Sequence, residues 1–121
     1  MKLIPDAAYG SSMTGYGPGW LAVNGQKYES SLVVPAQGAV SPWSCHDFAQ
    51  LSATDFEALL SYQPELVLFG SGNQLRFPGA ACLKALYAAR VGVETMDTPA
   101  ACRTFNFLAA EGRKVVAALL L

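Results

Sequence analysis

The chain has 121 residues, 52% of them apolar and 14% charged, with a net charge of −1. Its Lys and Arg are dispersed with no run longer than Arg113-Lys114, which excludes the clustered basic stripe of a nucleic-acid surface. The longest apolar run, Val115 to Leu121, is too short to span a bilayer.

One core is expected at this size. Average soluble domains are about 25% charged, so this apolar surplus either faces a protein partner or second copy, or fills a core beneath Ser, Gly and Ala. Met1 to Asp6 has neither the apolar block of a signal peptide nor the Arg-rich character of a transit peptide. Cys45, Cys82 and Cys102 form no C-x-x-C pair, so no disulfide frame or zinc site is expected, and a cytoplasmic setting fits.

Residues 1–14 read as an N-terminal extension and 15–121 as a single α/β domain. From Tyr16 to Trp43 the pattern is an antiparallel meander: Trp20 to Val23, a turn at Asn24-Gly25, then Lys27 to Val34, with Ala39-Val40 beyond Gly38. Asn-Gly suits a type I′ hairpin turn, while Pro35 and Pro42 end or edge their strands. A short helix follows, with capping-box spacing at Thr54-x-x-Glu57, an apolar face of Phe56, Leu59 and Leu60, and a stop at Pro64.

Glu65 to Gly70 is a nearly continuous apolar run, as expected for a strand covered on both faces. Pro78 in a first turn opens a helix through Cys82, Leu83, Leu86 and Tyr87, closed by Gly92. Val93 to Asp97 is the next strand, Thr98 caps a helix with Pro99 at its first position and Gly112 beyond its end, and Val115 to Leu121 is a buried strand. The expected architecture is one mixed sheet: an antiparallel N-terminal meander joined to a parallel β-α-β-α-β half, with helices packed on it.

Parallel strands place the Gly70-Ser71-Gly72 loop and the Thr98-Pro99 helix start on the same sheet edge, where α/β proteins bind ligands. Helix N-termini and the Arg76 guanidinium favour an anion there, so Gly70, Ser71, Gly72, Arg76 and Thr98 form a candidate notch. The alternatives are ordinary turn glycines, a helix cap, and an Arg76 ion pair with Asp97 or Glu94. Asn106, a poor mid-helix residue, is expected to bond tertiary structure such as the Gly70 to Arg76 loop, or to face solvent.

Catalytic patterns fail at this junction. A dinucleotide fingerprint would need Gly where Leu75 stands, a phosphate loop lacks its Lys-Ser/Thr, and Gly70-Ser71-Gly72 has the wrong spacing for a nucleophile elbow. His46, the only histidine, reads as a capping or loop residue, and with no carboxylate cluster beside it neither a metal nor another cofactor is implied.

Leu66 to Gly72, Arg76-Phe77-Pro78, Val93 to Thr98 and Cys102 to Val116 together resemble a family of small α/β domains of unknown function. It includes the mitochondrial NADH dehydrogenase (complex I) assembly factor three and an adipogenesis-associated domain protein, and the resemblance runs from Gly15 to Leu119. It implies a compact mixed-sheet domain, a free-standing bacterial relative, no agreed enzymatic activity, and motif positions at Gly70, Gly72, Arg76, Pro78, Thr98, Asn106 and Glu111 without catalytic roles. The resulting expectation is a non-enzymatic binding or assembly module that recruits a protein partner or a second copy. The alternative is a small-molecule enzyme or sensor taking an anionic ligand at the Gly70–Pro78/Thr98 edge.

Overall fold

A computed structural model describes residues 10–121. The reading of Met1 to Asp6 and the first nine residues of the expected extension lie outside the described residues. Strands β1 (Met13–Gly17), β2 (Trp20–Val23) and β3 (Gln26–Tyr28) form an antiparallel sheet of three. The β2–β3 turn is the expected one, with positive φ at both Asn24 (50°) and Gly25 (85°). Asn24 also ties β1 in, because its Oδ1 accepts the Ser12 N–H at 3.0 Å.

The run expected as one strand from Lys27 to Val34 is two strands in two sheets. β3 is mostly exposed, whereas β4 (Leu32–Pro35) is buried throughout. Leu32 to Val34 therefore need cover on both faces, and they find it inside a second sheet. That sheet has five strands in the order β5-β4-β8-β6-β7, with β5 (Ser41–Pro42), β6 (Leu66–Gly70), β7 (Gly92–Met96) and β8 (Val115–Leu119). β5 replaces the strand expected at Ala39-Val40. β6, β7 and β8 run parallel, and β4 pairs antiparallel with β8, so the sheet is mixed as expected while the meander's first strands stand apart from it.

Alternation along β6 and β8 divides the core between the two faces of this sheet. Leu68, Ala117 and Leu119 face Leu21, Val23 and the helix α3 (Thr98–Ala110), which contributes Ala101 and Phe105. Val67, Phe69, Val116 and Ala118 face helices α1 (Ala53–Glu57) and α2 (Ala80–Ala88), meeting Phe56, Leu83 and Leu86. Trp43, Phe56 and Phe69 pack edge to face with centroids 5.4–5.9 Å apart, and the Trp43 indole donates to the Asp55 carbonyl at 3.1 Å.

Ends of α1 and α2 differ from the sequence reading. α1 is capped by Ser52 with Asp55, not by Thr54 with Glu57. The buried Asp55 carboxylate takes the Ser52 N–H at 2.9 Å, the Ser52 hydroxyl at 3.0 Å and the Ser44 hydroxyl at 2.5 Å. α2 begins one residue after Gly79, its N-cap, so Pro78 precedes the cap. Its C-terminal left-handed residue is Arg90 (φ 61°), not Gly92: Arg90 donates to Tyr87 and Val91 to Leu86, both at 2.9 Å. Val91 is buried and must turn inward at once, which leaves Gly92 free to start β7.

Candidate functional site

The C-terminal ends of β6 and β8 meet the start of α3. Here Gly70 has no room for a side chain, since a Cβ would lie 2.7 Å from Leu119 Cδ2 and 2.9 Å from Thr98 Oγ1. The Gly70 carbonyl accepts the Leu120 N–H at 2.9 Å, and the Ser71 N–H continues the pairing to Met96 at 2.8 Å. Gly72 then turns with φ 100°, a conformation that side chains resist.

Thr98 is a rivet in this corner and not the helix cap. Its hydroxyl donates to the Leu120 carbonyl at 2.6 Å and accepts the Gly72 N–H at 2.9 Å, while its own N–H goes to the Gly72 carbonyl at 2.9 Å. Asp97 caps α3 by accepting the Ala100 N–H at 2.9 Å. The shift follows from burial: Thr98 is enclosed and must satisfy its hydroxyl inside, while half-buried Asp97 reaches the helix end. Ala101 donates to the Asp97 carbonyl and Pro99 has no N–H, so the start of α3 keeps no donor for an anion.

Ser71 clasps the loop that follows. Its buried hydroxyl lies 2.6 Å from the Gln74 carbonyl and 3.1 Å from that of Met96, and it accepts the Arg76 N–H at 3.1 Å. A hydroxyl committed in this way holds the loop shape. The Arg76 guanidinium reaches only Gln74 Oε1, at 3.3 Å, and lies 5.4 Å from the Phe48 ring centroid. Among the described residues no carboxylate sits within ion-pair distance of it, so the expected alternative of pairing with Asp97 or Glu94 does not occur.

Arg76 stands on the rim of a cleft of about 420 Å³, together with Ser71 and Gly72, His46, Asp47 and Phe48. His46 sits in a loop as expected, and that loop is a cleft wall, which its spacing alone does not disclose. The available signal was alternation: Trp43 and Cys45 are buried, which turns Ser44 and His46 outward.

Asn106 is not part of this corner. It makes the expected tertiary bonds, but to Met13 of β1, accepting its N–H at 2.7 Å and donating to its carbonyl at 2.9 Å. Eight residues along α3 from Thr98, at 1.5 Å per residue, it lies roughly 12 Å from the loop.

Burial pushes the Cys102 thiol up to about 11, and it also raises Cys45, so neither is an activated nucleophile. Among the described residues no group of three or more His, Cys, Asp or Glu could hold a metal. No helix among them is long and apolar enough to cross a membrane.

Comparison with known proteins shows the same fold in a Bordetella parapertussis protein of solved structure, with a TM-score of 0.88, 37% identity, and coverage of 92% of this chain and 95% of that one. A Bordetella pertussis protein described as a Mth938-like domain gives 0.82 at 29% identity, over 99% of this chain and 89% of that one. By sequence, a Rhodobacter capsulatus protein is 35% identical over 96% of this chain and 89% of its own length. The rat NADH dehydrogenase [ubiquinone] 1 alpha subcomplex assembly factor 3 is 31% identical over 97% of this chain, which spans 62% of that relative's length. A family model matches residues 13–120, nearly the whole described chain, and the protein belongs to that family, described as a protein of unknown function (DUF498/DUF598).

Proposed function

We propose that this domain is a non-enzymatic binding module that docks a protein partner on the Leu75-Arg76-Phe77 loop beside the cleft. The observation that carries this reading is the exposure of Leu75 (54%) and Phe77 (68%) on either side of an Arg76 that has no carboxylate partner among the described residues, on a loop held from within by Ser71. Arg and aromatic anchors dominate protein interfaces, and a loop fixed beforehand loses little freedom on binding. In this reading Gly70, Ser71, Gly72 and Thr98 hold the loop and Arg76 makes contact. Asn106 fastens β1 to α3 and takes no part in recognition. The assembly-factor name of the rat relative supports a partner that is a subunit of a larger assembly. A cytoplasmic setting belongs to the same proposal and rests on three free cysteines.

A photo-crosslinking residue in place of Phe77 tests this in intact cells. One defined adduct is expected, lost with Arg76→Ala and absent when the crosslinker replaces exposed Lys84 on α2. Equal labelling from both positions, or none from Phe77, overturns it.

The second reading, an anionic small molecule in the cleft, is favoured by Arg76 and His46 sharing one open volume. A ligand at 100 times its dissociation constant would add about 2.7 kcal/mol, so a thermal-shift panel of phosphates, carboxylates and nucleotides decides it.

A further inference from the structure

The opposite edge of the five-stranded sheet, where β6 and β8 begin, carries a separate cavity of about 280 Å³. Pro35, Ala36, Pro64, Ala109, Val115 and Val116 wall it, and the Gln37 and Gln63 amides with Arg113 and Lys114 stand at its mouth. Apolar hollows with a few convergent polar groups are the general form of small-ligand sites, whose volumes run from roughly 300 Å³ upward. The ligand must therefore be small.

The walls offer little to a polar ligand body. The Ala36 N–H is spent on Val115 and the Glu65 N–H on Lys114, each at 2.9 Å, and the Tyr62 hydroxyl, also at this cavity, pairs with Ser41 at 2.8 Å. A neighbouring hollow of about 250 Å³ shares Ala36, Gln37 and Ala109, and Gly10, Ser11, Ser12, Asn106 and Ala110 make up its other walls.

The mouth carries net positive charge. Arg113 Nε lies 3.2 Å from Glu65 Oε1, which also accepts the Lys114 N–H at 2.8 Å, so Arg113 is neutralised. The Lys114 ammonium has no carboxylate at ion-pair distance among the described residues. Gln63 is held at φ 54°, a left-handed conformation best suited to glycine. Keeping glutamine there retains an amide at the mouth that glycine could not supply.

We propose that this cavity binds a small monocarboxylic acid with a short apolar body. The carboxylate meets Lys114 and the Gln63 amide, and the body lies against Pro64, Ala109 and Val115. The proposal uses none of the cleft residues and stands apart from the docking loop.

The test is a titration of the 15N-labelled full chain with hexanoate, hexanol and acetate. Hexanoate is expected to move the amide resonances of residues 36, 63, 109 and 113–116 and to bind about tenfold tighter than either control, the worth of one modest charge contact. Lys114→Gln should weaken hexanoate by about that factor and leave hexanol unchanged. Ala109→Met should fill the hollow and block both; should it not fold, Lys114→Gln alone decides. No resonance moved by hexanoate, movement centred on Arg76, equal binding of hexanol, or undiminished binding by Lys114→Gln each overturns the proposal.

Discussion

The Thr98 hydroxyl donates to the Leu120 carbonyl at 2.6 Å while accepting the Gly72 N–H, so one side chain fastens the end of β8 to the loop after β6. Thr98→Val keeps the shape and removes both bonds, leaving the buried Leu120 carbonyl unpaired at about 1–3 kcal/mol and the half-buried Gly72 N–H at less. The urea midpoint should fall accordingly, and Thr98→Ser should recover most of the loss. Amide exchange at Gly72 should accelerate in the valine variant only.

Gly70→Ala is expected to destabilise by about 1–3 kcal/mol, the usual cost of overpacking. Leu119 can yield to the added methyl, but Thr98 is held by its own bonds and cannot. Gly79→Ala, where the same methyl meets open space and φ is −64°, should cost far less. Equal midpoints for the two variants would contradict this account of the corner.

Arg90→Gly should stabilise the protein. Left-handed backbone costs a non-glycine residue roughly 1–2 kcal/mol, part of which is returned through the freer unfolded chain of glycine, for a net gain of about 0.5–1 kcal/mol. Arg90 is exposed, so little packing is lost. Calorimetry should show a melting temperature higher by a few degrees.

The Lys114 N–H, and after it the Arg113 guanidinium, hold the Glu65 carboxyl below its ordinary value of 4.5. A depressed folded-state value means the stabilisation is present in full above that ordinary, unfolded-state value and is lost as pH falls through the folded-state one. The urea-midpoint advantage of the native chain over Glu65→Gln should therefore be constant near neutrality and shrink on acidification below that value. An advantage that grew with acid would reverse the sign and refute the assignment.

Native thiol labelling should be limited to Cys82. Cys45 and Cys102 are buried with raised values, whereas Cys82 is half-buried. A maleimide at pH 8 should modify one site in the folded chain and all three in denaturant. Mass spectrometry of the digest checks which.

The parallel half was readable because its signals are local: the apolar run of Glu65 to Gly70, the Pro99 and Gly112 that bracket α3, and the Asn24-Gly25 turn in the other half. What escaped depends on burial contributed by distant chain. Leu32 to Val34 look like a continuation of β3 until their two-sided burial is known, and distant chain supplies it: Leu21, Val23 and Phe105 on one face, Trp43 and Phe56 on the other. Val91, by turning inward, forces Arg90 into the position that Gly92 would have filled more cheaply. The notch residues Gly70, Ser71, Gly72 and Thr98 do converge, but their polar groups are spent on one another, which no reading of spacing could reveal. The partners of Asn106 lie in β1, and the ring beside Arg76 belongs to Phe48, both remote in sequence.

β8 lies at the centre of the five-stranded sheet, between β4 and β6, yet is the last of its strands along the chain. During synthesis neither neighbour can acquire its inner partner until residues 115–119 have left the ribosome, and the backbone edges that β8 will pair stay open meanwhile. The nascent chain is thus held back from closing its core, and folding should proceed as one late, concerted event with the slow kinetics of long-range pairing. Arrested chains stalled before Val115 should be uniformly protease-sensitive, and the exposed β4 and β6 segments are where a nascent-chain chaperone would act.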